Sequence, residues 1–82
     1  MTRLVDALRT LGLEGKIELN GRWVIFQGER SRVYVVEGRQ GSSYLTWCED
    51  PRARTVEWYA DAVEAIQAGL RRAAQLPKQN NS

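Results

Sequence analysis

The chain has 82 residues, 43% hydrophobic and 27% charged, with 12 basic against 10 acidic groups and no histidine. That is one small soluble domain, near the low end of what buries an independent core. The missing histidine excludes Ser–His–Asp and Cys–His nucleophiles, and the single cysteine, Cys48, excludes an internal disulfide and a Cys/His zinc site.

Met1-Thr2-Arg3-Leu4 opens an amphipathic segment rather than a secretory signal. Thr2 is placed to cap a first helix whose apolar stripe is Leu4, Val5, Leu8 and Leu11. Gly12 fits the left-handed position beyond it. Leu13 should fold back onto Leu8 in a Schellman ending.

Lys16 to Gln27 reads as a hairpin, because Asn20-Gly21 suits a two-residue type I′ turn. The turn sets Leu19 opposite Arg22, Glu18 opposite Trp23, Ile17 opposite Val24 and Lys16 opposite Ile25. Ile17, Leu19, Val24 and Phe26 then share the face expected to be the core. Lys16, Glu18, Trp23, Ile25 and Gln27 share the other.

Gly28-Glu29-Arg30-Ser31 is a turn, Arg32 to Glu37 a third strand, Gly38 to Ser43 a loop and Tyr44 to Glu49 a fourth strand. Asp50-Pro51 starts another turn before a short fifth strand, Thr55 to Tyr59. Beyond Gln27 the longer turns leave strand register open.

Asp61, with Glu64 three residues on, marks the start of the longest helix as a capping box. Val63, Ile66, Leu70 and Ala73 form its apolar stripe, with Ala62 and Gly69 beside them. Arg71 and Arg72 complement its last turns, and Pro77 stops it. Residues 1–77 should form one α+β domain: a helix, a four- to five-stranded antiparallel meander and a second helix. Both helices are expected on one face of the sheet, with a sheet bent into a half-barrel as the alternative. Residues 78–82 read as a frayed polar tail.

No catalytic constellation, cofactor fingerprint or metal ligand set is expected. Glu49 and Asp50 adjoin before Pro51, and Glu37 and Glu57 lie on strands, where solvated charge is the simpler reading. Ser31, Ser42 and Ser43 sit in turns, where hydroxyls bond the backbone. Cys48, between Trp47 and Glu49, reads as a small buried hydrophobe. Gly38-Arg39-Gln40-Gly41 matches the Gly-x-x-Gly spacing of nucleic-acid-clamping loops, but strands rather than helices flank it.

What remains is the aromatic sheet. Trp23, Tyr34, Tyr44, Trp47, Trp58 and Tyr59 all fall on expected strands, interleaved with Arg22, Arg32 and, in a nearby loop, Arg54. Trp23 and Ile25 lie on the face away from the helices, so a non-enzymatic module that binds protein is expected, most simply a homodimer joined through that face, or else another protein partner. Its candidate binding residues are Trp23, Ile25, Tyr34, Arg22 and Arg32. The alternative is single-stranded nucleic acid, stacked on the aromatics and neutralised by arginine; Lys16 and Lys78 are the only lysines, and the other ten basic residues are arginine. Interspersed acidic residues weaken that field. The lone cysteine fits a cytoplasmic protein, and no apolar run approaches the roughly 18 residues of a membrane span.

Overall fold

The structure, a computed structural model, describes residues 3–38, 43–53 and 55–76. Its order is α1 (Arg3–Thr10), β1 (Gly15–Glu18), β2 (Trp23–Gln27), β3 (Arg32–Glu37), β4 (Tyr44–Cys48), β5 (Glu57–Tyr59) and α2 (Ala62–Gln75). The strands form one antiparallel meander in the order β1-β2-β3-β4-β5. Both helices cover one face, giving the two-layer α+β arrangement expected. No helix among the described residues is long and apolar enough to cross a membrane.

Local chemistry sets the helix ends. Gly12 adopts a φ of 68°, Gly12 N–H donates to Arg9 O at 3.0 Å and Leu13 N–H to Leu8 O at 2.9 Å. Those two bonds define the Schellman ending. At the start of α2, Glu64 N–H donates to the Asp61 carboxylate at 3.0 Å. Leu76 leaves α2 in an extended conformation, as the residue before a proline must. Arg30, from the β2–β3 turn, donates to the carbonyls of Ala74 and Leu76, each at 3.0 Å, closing the open end of α2. Thr2 and Pro77, assigned as cap and stop, and the tail over 78–82 lie outside the described residues.

The core holds Leu4, Ala7 and Leu8 of α1, Val24, Phe26, Val33, Val35, Tyr44 and Cys48 of the sheet, and Ala62, Ala65, Ile66 and Ala73 of α2. Val63 and Leu70, two of the four residues assigned to the α2 stripe, flank it half-buried. The helix lies so close to β3 and β4 that a Cβ on Gly69 would strike Val33 Cγ1, and would come within 2.7 Å of Thr46 Oγ1. The glycine permits that approach.

From Glu18 onward the hairpin register is the expected one, with Glu18 opposite Trp23, Ile17 opposite Val24 and Lys16 opposite Ile25, whereas the expected pair Leu19–Arg22 is not part of the ladder. Asn20 and Gly21 both have positive φ, and Arg22 N–H donates to Leu19 O at 3.2 Å. The turn is nonetheless longer than two residues. Leu19 is itself left-handed and Arg22 is helical, so the ladder starts at Glu18 and Trp23. Ile17 and Leu19 are not core residues as expected; they are 48% and 59% exposed. α1 rests over β2 and against α2, and neither helix packs broadly on the edge strand β1, whose residues are all exposed.

Candidate aromatic sheet face

Side-chain alternation along each strand determines which residues share the uncovered face. On β2, Val24 and Phe26 are buried beneath the helices, which turns Trp23 and Ile25 outward. On β3, burial of Val33 and Val35 turns Arg32, Tyr34 and Val36 outward. On β4, burial of Tyr44, Thr46 and Cys48 does the same for Leu45 and Trp47. Pairing aligns them in rows. One runs Glu18, Trp23, Val36, Leu45, Trp58, and the next runs Lys16, Ile25, Tyr34, Trp47.

Within these rows the rings organise one another. Tyr34 and Trp47 stack with centroids 5.5 Å apart and planes 5° from parallel. Trp23 meets the edge of Trp47 at 6.1 Å and 81°. Trp23 is half-buried by these neighbours, and its shielded indole N–H has no acceptor among the described residues. Trp58, on the outer strand β5, is 63% exposed. β5 begins only at Glu57, which leaves an open cleft of about 470 Å³ beside β4, lined by Tyr34, Trp47, Cys48, Glu49 and Val56. The Cys48 side chain belongs to the opposite, buried face, and burial pushes its thiol pKa up.

Of the five residues expected to bind, Trp23, Ile25, Tyr34 and Arg32 come together on this face. Arg22 does not join them: it lies in the turn, where its Nε donates to Leu19 O at 3.4 Å. Of the other strand aromatics, Trp47 and Trp58 join the face, while Tyr44 is buried in the core and Tyr59 packs against it; Val36 and Leu45 enter only through a register that the folded sheet sets.

The charges around the face are paired. Tyr34 Oη donates to Glu49 Oε1 at 3.0 Å, with Arg32 3.9 Å from the same oxygen. Lys16 and Glu18 approach to 3.7 Å on β1. Asp50 grips Arg52 through both carboxylate oxygens, and these hydrogen bonds lower its pKa to about 2. On the covered side Glu57 accepts from Tyr59 Oη at 2.9 Å and pairs with Arg72 at 3.0 Å, which holds its carboxyl below the usual range. Ser31 Oγ accepts from Asp50 N–H at 3.1 Å and donates to Arg32 O, tying the β2–β3 turn to the end of β4. Arg39, Gln40 and Gly41 of the Gly-x-x-Gly stretch lie outside the described residues, as does Arg54.

The face therefore offers flat apolar area at its centre, stacked rings on one row and both signs of charge at its rim. No protein-family model, curated protein or solved structure matches this chain.

Proposed function

We propose that this protein is a non-enzymatic interaction module whose open aromatic sheet face pairs with a second copy of itself. The observation that carries the reading is the unbroken row Trp23, Val36, Leu45, Trp58, together with Ile25, Tyr34 and Trp47 beside it. From strand spacing and rise, such a patch measures roughly 20 by 13 Å, about 260 Å², no larger than the biggest apolar patch an ordinary monomer carries, which is often functional. Stacking two such faces about 10 Å apart would make a sandwich with a shared second core. A rim with Lys16 and Glu18 at one end, Arg32 and Glu49 at another, offers each sign of charge to a two-fold mate. The patch is below a standard interface, so pairing should be weak and concentration-dependent. The single thiol, Cys48, suits a reducing cytoplasmic setting.

Sedimentation velocity from about 10 to 500 μM tests this reading. The chain should associate, and Trp58→Glu should weaken that association while leaving stability within about 0.5 kcal/mol, because the residue is mostly exposed. An association constant unchanged by Trp58→Glu, or a wild type monomeric throughout, overturns it.

The stacked Tyr34–Trp47 pair with Arg32 at its end favours a second reading, a platform for single-stranded nucleic acid. Its tests are tryptophan quenching by oligonucleotides at low salt and reversal of that quenching as salt rises. The Glu49 carboxylate against both Tyr34 and Arg32 opposes phosphate there, so the self-pairing is preferred.

A further inference from the structure

The outer strand β1 is unlike the rest of the sheet. All four of its residues, Gly15 to Glu18, are exposed, and Ile17, on the helix side opposite buried Val24, still keeps 48% of its surface open. The hydrogen-bond phase of the sheet determines what its backbone offers. Across β2 and β3, Glu37 N–H donates to Arg22 O at 2.8 Å, and Gly28 N–H to Ser31 O at 2.8 Å. Even-numbered residues of this stretch therefore bond towards β3, and alternation turns Trp23 and Ile25 towards β1. Their partners Glu18 and Lys16 must face inward in turn. Ile17 is left with its N–H and C=O directed away from the sheet.

We propose that β1 pairs antiparallel with β1 of a second copy, about a two-fold axis at Ile17, joining two five-stranded sheets into one of ten strands. The sequence is self-complementary about that residue. Ile17 would face Ile17 of the other copy and exchange both backbone bonds with it. Lys16 and Glu18 would fall opposite one another twice, as non-hydrogen-bonded pairs, where cross-strand side chains approach most closely. Gly15 would leave room for Leu19. The two-fold axis is normal to the sheet, so both Ile17 side chains lie on the helix side and each covers open surface of the other. A lysine at an edge ordinarily repels a foreign strand. Here it selects a strand with an acid two places on, which this chain supplies.

The surface is separate from the aromatic face, and so is its test. In a Trp58→Glu background, which disables face pairing, Ile17→Cys should be joined into a covalent dimer by a short bifunctional thiol reagent. Paired residues at the axis are about 5.5 Å apart at Cα, and a hydrogen-bonded pair holds its Cβ atoms too far apart for a direct disulfide. Leu19→Cys should not cross-link, because the two copies would lie roughly 13 Å apart along the strand. Lys16→Glu should raise the dissociation constant on the order of tenfold, and Lys16→Glu with Glu18→Lys should bring it back. Equal cross-linking at both cysteine positions, none at Ile17→Cys, or a charge swap that fails to restore pairing overturns the proposal. A dimer that persists in Trp58→Glu and obeys the charge swap upholds it, whatever the fate of the face.

Discussion

The covered face of the sheet and its open face carry comparable sets of large apolar side chains, yet only the first is sealed. Beneath the helices Val24, Val33, Val35, Tyr44, Thr46 and Cys48 have no exposed surface. On the other side Trp23, Ile25, Tyr34, Val36, Leu45 and Trp47 shield one another only in part, and Trp58 stands in the open. The difference is a matter of supply. Two short helices cover one side of the sheet, and no third layer lies on the other among the described residues. Rings packed edge to face and in a stack are what a sheet can do by itself to limit wet apolar area.

If that contrast is real, substitutions should separate the faces by size of effect. Ile66→Ala removes a side chain with no exposed surface from the centre of the covered layer and should cost roughly 2–5 kcal/mol in urea unfolding. Gly69→Ala should come next, at about 1–2 kcal/mol. Its gain in helix propensity is outweighed by pushing α2 off Val33 and Thr46, so thermal melts should fall rather than rise. Asp61→Ala should cost about 1 kcal/mol by leaving the Glu64 N–H without its acceptor.

The smallest effect belongs to the polar fringe of the covered side. Tyr59 and Arg72 lower the folded pKa of Glu57 beneath its unfolded value of about 4.5. Its contribution is thus fully present above that pH and lost as the pH falls through the lower folded value. Thermal midpoints measured from pH 6 down to 3 should decline less in Glu57→Gln than in wild type. With the carboxylate partly solvated and the pair open to screening, the difference should be slight. An equally steep acid decline in both would mean that the bonds from Tyr59 and Arg72 are not made in solution.

Much of this arrangement was legible residue by residue. The Schellman ending at Gly12 and Leu13, the Asp61 cap, the hairpin register and the outward placement of Trp23 and Ile25 all follow from contacts within a few positions of each other. The candidate face was only half legible. Tyr34 and Arg32 belonged to it, but Arg22 was claimed by its own turn, and Trp47 and Leu45 could be assigned only once β4 had a register. Ile17 and Leu19 misled for a related reason. Alternation gave the side of Ile17 correctly but not its exposure at the sheet's edge, and Leu19, left-handed in the turn, leaves the strand altogether.

By itself the sequence determined the order of the elements, how α1 ends and α2 begins, and which residues of the first hairpin's ladder share a side, because turn chemistry, capping and strand alternation act over neighbouring residues. Only the tertiary structure decided which side the helices occupy along the later strands, that Arg30 closes α2 from 44 and 46 residues away, and that β1 stays exposed at the edge of the sheet. Those outcomes depend on the lateral size and close approach of packed layers, at Gly69 above all, and no stretch of chain carries that information until the layers meet.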